Sequence, residues 1–454
     1  LINSEKHKIK SWFYTFDKIV DMKIFILATL LFFGFYQAFA QNLYFPPTTG
    51  NVWDTTSPST LGYCQPKIDS LYNFLDVNNT KAFILLKDGK IVLEKYFGTH
   101  TPTTLWQWAS AGKTITSFMT GIAQQEGHLS ITDTTSSYLG QGWTNCTPQQ
   151  EERITIRNQL TMTSGLDDGV PDHFCTLDTC LNYLADPGTR WAYHNGPYTL
   201  LDGVIENATG QTLNNYTTQK LKNPTGMTGT FYSVGYNNVF VSNARSMARF
   251  GSLILNKGNW NGNQIMTDTA YFHDMVNTSQ NLNKSYGYLW WLNGKSSFMV
   301  PMLQNVFPGF VCPNAPADMF AAIGKGGQFL NVVPSQNMVW LRMGDEPTSS
   351  LVPFLLNDEI WGYINELACS TTGFEDNYIP EHIQVYPNPA NEQLTVSVKA
   401  GRLGNVILYD QIGLKIKEFN SNESSTTFTI SGLAEGVYIM KIEGTRQMVR
   451  FIKT

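Results

Sequence analysis

Charge is scarce in this chain, and basic charge is scattered. Among 454 residues there are 31 Lys or Arg against 36 Asp or Glu, a charged fraction of 15% and a net charge of −5. No basic run or stripe stands ready to neutralise phosphates, so nucleic acid is not an expected partner. Cysteine is sparse as well, at 6 residues. Neither Cys-x-x-Cys nor His-x-x-x-His spacing occurs, so a metal site is not expected, and nothing else in the sequence implies an organic cofactor. Long apolar runs are missing too, apart from one stretch over 24–33. It is short for a membrane span.

That stretch follows Met22-Lys23 and leads to Ala38-Phe39-Ala40 before Gln41. A basic start, a short apolar segment and small residues at the end describe a secretory signal peptide over 22–40. Residues 1–21 precede the first Met and are expected to be an upstream extension outside the native fold. Export would put all six cysteines in an oxidising space, where fifteen full pairings are open. Cys175 and Cys180 are near enough in sequence to clip a single loop, and they are the pair expected.

Strand patterns sit at both ends of the region from 41 to 370. Residues 81–97 read as a hairpin turning at Asp88-Gly89, a strong turn signal between apolar runs. A second hairpin runs over 328–341 and turns at Pro334-Ser335-Gln336-Asn337. Between them lie helical patterns, including one that ends near Gly127 and others over 198–205 and 244–255. This order predicts an α+β fold: an antiparallel sheet flanked by helices, with an inserted helical part, rather than alternating βαβ units. A polar linker over 371–382 follows. Short alternating segments over 383–454 then predict a small C-terminal β-sandwich.

The chemistry starts at Trp108-Ala109-Ser110-Ala111-Gly112-Lys113. Ile115, Phe118, Met119 and Ile122 continue it with the spacing of a helix that buries one face. Residues three apart share a side of such a helix, so the Ser110 hydroxyl and the Lys113 amine can meet. Burial and the positive helix end disfavour an ammonium there, which makes Lys113 a candidate base for Ser110. Two further motifs follow in order: Tyr193-His194-Asn195, and Gly324-Lys325-Gly326-Gly327-Gln328.

Ser-x-x-Lys, Tyr-x-Asn and Lys-x-Gly in that order resemble the serine β-lactamase and penicillin-binding-protein superfamily. Ser164-Gly165-Leu166, the stretch from Arg245 to Gly251, and Tyr286-Gly287-Tyr288-Leu289-Trp290-Trp291 are similar to its class C-like branch, which includes esterases and 6-aminohexanoate-dimer hydrolases. The resemblance implies that Ser110 is the nucleophile and that Lys113 and Tyr193 share acid–base work. It also implies an oxyanion hole built from the backbone N–H groups of Ser110 and Gln328. Asn195 would offer an amide to Lys113 or to substrate. Lys325 would attract a substrate carboxylate or tune Tyr193, and Gly326 and Gly327 would let the strand approach the substrate.

Lys-Gly-Gly stands where β-lactamases carry Lys-Thr-Gly, which removes a hydroxyl from the expected β-lactam site. The implied activity is hydrolysis of a small ester, amide or D-amino-acid peptide. A β-lactamase, a D-alanyl-D-alanine carboxypeptidase and a non-hydrolytic ligand-binding protein remain open alternatives. Val385-Tyr386-Pro387-Asn388-Pro389-Ala390, with Gly436-Val437-Tyr438 and the basic end at Lys453, resembles the sorting domain of type IX secretion cargo. That implies the type IX machinery as a partner and a final place outside the cell or on its outer surface, reached through the periplasm.

Overall fold

The computed structural model describes residues 43–346, 352–369, 383–398, 402–410, 413–442 and 448–454. The expected upstream extension, signal peptide and linker lie outside these residues. Two compact units divide the chain, one ending at Cys369 and the other running from Ser370 to Thr454.

The first unit is built on a six-stranded antiparallel sheet. Its strands are β1 (Thr80–Lys87), β2 (Lys90–Tyr96), β3 (Trp291–Leu292), β4 (Phe320–Gly324), β5 (Gln328–Val333) and β6 (Met338–Gly344). Their spatial order is β2-β1-β6-β5-β4-β3, so the first hairpin pairs with the last strands of the unit. The β1–β2 turn has both Asp88 and Gly89 at positive φ, the backbone that a two-residue hairpin requires. Every residue of β4, β5 and β6 is buried, because both faces of the sheet are covered.

Two adjacent residues in β6 show how. Val339 faces helix α5 (Ala244–Leu255), where a Cβ on Gly251 would come within 2.5 Å of its Cγ1. Trp340 faces the other side and packs edge-on against Trp361 of α6 (Phe354–Asn365), with ring centroids 5.7 Å apart. Alternation along the strand sends neighbours to opposite faces. Helix α1 (Gln65–Val77) lies beside α6, and Phe74 stacks on Tyr363. A disulfide joins Cys64, just before α1, to Cys369, just after α6. The structure also contains the expected Cys175–Cys180 bond, while Cys146 and Cys312 are free.

Between β2 and β3 the chain forms the helical part. It includes α2 (Lys113–Gln125), α3 (Asn195–Thr199) and α4 (Leu201–Thr209). Ser110 lies outside the helix proper: Ala109–Gly112 form a 3-10 turn that feeds into α2. The α2 helix ends as expected, with Gly127 at positive φ and its N–H donating to the Gln124 carbonyl.

The second unit holds two small antiparallel sheets. One contains Ile383–Tyr386, Gln393–Val398 and Ser425–Thr429; the other contains Gly404–Asp410, Lys415–Ser421, Gly436–Ile442 and Met448–Lys453. Leu394, Val396, Val406, Leu408, Met440 and Phe451 form its core.

Candidate active site

Two separate parts of the chain hold the turn that carries Ser110. The Trp108 N–H donates to the Phe240 carbonyl at 2.8 Å, and its indole donates to Ser242 Oγ at 2.8 Å. Ala109 adopts φ +47°, a left-handed conformation that costs an alanine energy and persists only where surroundings impose it. The second constraint is the end of β4. A Cβ on Gly324 would lie 2.5 Å from the Trp108 carbonyl oxygen and 3.1 Å from the Ser110 nitrogen, so backbone meets backbone there. Ser110 itself remains half-buried.

Lys113 is 4% exposed, and its Nζ donates to Ser110 Oγ at 2.9 Å. Burial pushes its amine down to about 7, against a raising influence from Asp202. Aromatic rings surround the ammonium position, with Nζ 4.4 Å from the Tyr198 ring centroid and 5.1 Å from that of Tyr193. Tyr193 lies flat against Trp291, centroids 5.7 Å apart, and edge-on to Tyr286. Burial holds its phenol above the ordinary range, and the Ser110 hydroxyl offsets this in part. Tyr193 therefore rests as a neutral phenol, and its neighbouring cation is Lys113.

Asn195 opens α3. It is 1% exposed, and its Oδ1 has no hydrogen-bond partner among the described residues. His194 between them is buried, with both ring nitrogens unpartnered, and burial lowers it to about 4. It is neutral at physiological pH. The disulfide-clipped loop braces this segment: the Gly196 N–H donates to the His173 carbonyl at 3.0 Å, and a Cβ on Gly196 would meet the Cys175 carbonyl oxygen at 2.3 Å.

Beside Ser110 opens a cavity of about 420 Å³ lined by Gln107, Ala109, Lys325, Gly326, Gln328, Asp345 and Glu346. Lys325 is exposed and shares this cavity with two carboxylates. Glycine at 326 and 327 also has a conformational cause. Both residues have φ near +77°, and a Cβ on Gly327 would collide with Arg342 Nη1 at 2.1 Å. Close approach to the nucleophile turn belongs to Gly324.

The fully buried Arg342 donates to the carbonyls of Gly326 and Gly327 at 3.0 and 2.7 Å, and to Thr80 Oγ1 at 2.8 Å. The side chain of Gln328 is occupied: its Nε2 donates to the Gly344 carbonyl at 2.6 Å, and its Oε1 accepts from the Gly344 N–H at 3.1 Å. That leaves only its backbone for substrate. Trp290 is core, stacked with Phe250 and edge-on to Phe320. The sequence names Gly324 within the third motif but assigns it no role, and it does not point to Asp202 or Arg342. A repeated Gly and two charged residues in apolar surroundings were the only signals.

Residues 80–348 match the β-lactamase family, and residues 384–453 match the secretion system C-terminal sorting domain. The sorting domain directs the protein through type IX secretion to the cell surface or beyond. A Staphylococcus aureus protein, Protein flp, is 29% identical over 171 residues, 33% of this chain and 34% of that one. The match thus spans about a third of the length of that relative. An uncharacterized protein of Alkalihalophilus pseudofirmus is 22% identical over 306 residues, 59% of this chain and 84% of its own. Among solved structures, a Bacillus anthracis protein assigned as a 6-aminohexanoate-dimer hydrolase superposes with a TM-score of 0.54. It has 19% identity and covers 72% of this chain and 89% of its own. A penicillin-binding-protein homologue from Caulobacter crescentus gives 0.52 at 12% identity, covering 67% and 99%. At these identities the likeness is one of fold.

Proposed function

The chain belongs to the β-lactamase family of serine hydrolases, and from that premise we propose that it cleaves a small ester, amide or D-amino-acid peptide through an acyl-enzyme on Ser110. In this reading residues 41–370 form the hydrolase, 371–382 the linker and 383–454 the export signal.

The observation that carries the proposal is the 2.9 Å contact between Lys113 Nζ and Ser110 Oγ, made by an amine that burial brings down to about 7. A neutral amine takes the serine proton as Ser110 Oγ attacks the carbonyl carbon. The oxyanion is met by the backbone N–H groups of Ser110 and Gln328. As the tetrahedral adduct collapses, the leaving alkoxide or amine takes a proton from Tyr193, which is replenished from the Lys113 ammonium. Water then repeats the cycle on the acyl-enzyme and releases the acid.

The neutral state of Tyr193 supports a donor role. Lys325, in the same cavity as Asp345 and Glu346, offers both signs of charge to substrate. Gly326, in place of a hydroxyl residue, weakens the case for β-lactams. A panel of p-nitrophenyl esters, short ω-amino-acid amides, D-Ala-D-Ala peptides and nitrocefin tests the proposal. Turnover of an ester or amide well above nitrocefin is expected. Turnover of nitrocefin alone would make the protein a β-lactamase, and Ser110 labelling without any turnover would make it a binding protein.

A further inference from the structure

Ser110, Lys113 and Thr116 recur every three residues and share one side of the turn and helix. Thr116 Oγ1 donates to Asp202 Oδ1 at 3.2 Å, and Asn238 Nδ2 donates to Oδ2 at 3.1 Å. Asp202 is 7% exposed. Both donors are neutral, and the cation whose field acts on it is Lys113, three residues before Thr116 on α2. A carboxylate buried with neutral donors alone costs stability, so a packing role does not explain its charge.

We propose that Asp202 is a positioning residue for acylation: its carboxylate, held by Thr116 and Asn238, is the counter-charge for the ammonium that forms when Lys113 takes the Ser110 proton. This rests on the roles given to Ser110 and Lys113 above. No covalent bond to Asp202 forms, and its own proton inventory is unchanged by the step.

Burial drives Asp202 up to about 7 and Lys113 down to about 7, and each charge pulls the other back toward ionisation. The titratable groups facing Lys113 are Tyr193, Tyr198 from α3, Asp202 from α4 and, through its field, His173 from the clipped loop. Those facing Asp202 are Lys113, Tyr198 and Glu206. Asn238, from the strand Asn237–Ser242, carries no charge. Removing the Asp202 charge takes away the influence that raises Lys113. Its amine then loses the proton at lower pH, and the ammonium formed during attack is held less well.

The test uses the full chain with Asp202→Asn and, separately, Asn238→Leu, which strips one donor from the carboxylate. The pH dependence of fluorophosphonate labelling at Ser110 and of p-nitrophenyl acetate turnover is measured for each. In Asp202→Asn the acid limb should move down by about 0.5–1 pH unit, with the plateau rate falling roughly 10- to 100-fold. Asn238→Leu should move the limb the same way by less, and it decides the matter if Asp202→Asn does not fold. A limb that stays in place or moves up overturns the role of Asp202. Wild-type protein that is never labelled at Ser110 overturns the functional reading as well, so the two failures are distinguishable.

Discussion

Gly324 and Ser110 meet without a side chain between them: a Cβ on Gly324 would sit 3.1 Å from the Ser110 nitrogen and 2.9 Å from that of Ala111. A methyl there must push the nucleophile turn off the end of β4. Gly324→Ala is expected to lower kcat/KM for an ester by at least about 100-fold, because a displacement of an ångström at the reacting atom has that effect. The overpacking itself should cost about 1–3 kcal/mol. Steady-state kinetics beside a thermal melt separate the two, and a folded variant with near-normal kcat/KM would show that the contact does not position Ser110.

The amine of Lys113 sets the pH dependence. Its neutral form is the base, and that fraction grows as pH rises, so kcat/KM should climb through a midpoint near the value of about 7 that burial imposes. Lys113→Arg should lose about 100- to 10,000-fold, since a guanidinium stays protonated and cannot accept the proton. A flat profile from pH 5 to 8 would remove Lys113 as the base.

Tyr193 is expected to act on the leaving group. Tyr193→Phe keeps the stack on Trp291 but removes the proton. Its loss should be about 100-fold or more on an amide and clearly smaller on a p-nitrophenyl ester, whose leaving group needs no proton. Equal losses on both substrates would point to a structural hydroxyl.

Local signals made much of this site legible. Ser110 and Lys113 are one turn apart and both hairpins are contiguous, so spacing pointed to them, while Tyr193 and Asn195 came from the order of the motifs and the family resemblance that order carries. Partners distant in sequence were not readable: Arg342 donates to Thr80, Asp202 accepts from Thr116 and Asn238, and Cys64 pairs with Cys369. They depend on β1 lying beside β6, on α4 and the strand Asn237–Ser242 lying against α2, and on α1 lying beside α6. Those are tertiary facts without a sequence period. The 3-10 turn at Ser110 escaped for a related reason, since the strain at Ala109 is imposed by strand and hairpin neighbours, not by its own residues.

His194 predicts acid sensitivity. Its folded value of about 4 lies below the unfolded 6.5, so the unfolded chain binds the extra proton, and stability is lost as pH falls through 6.5 toward 4. Between pH 7 and 5 this amounts to about 2 kcal/mol. His194→Leu should lose less stability than wild type over that range in chemical denaturation. An identical pH slope in both proteins would contradict a buried neutral imidazole.

The most direct test of the acyl-enzyme is intact-mass and peptide mapping after brief exposure to a fluorophosphonate or a slowly deacylating ester. One adduct per chain is expected, carried by Ser110 in the peptide containing Trp108 and Lys113, with Ser110→Ala unmodified and without turnover. An adduct on another residue, or hydrolysis by Ser110→Ala at the wild-type rate, would contradict it.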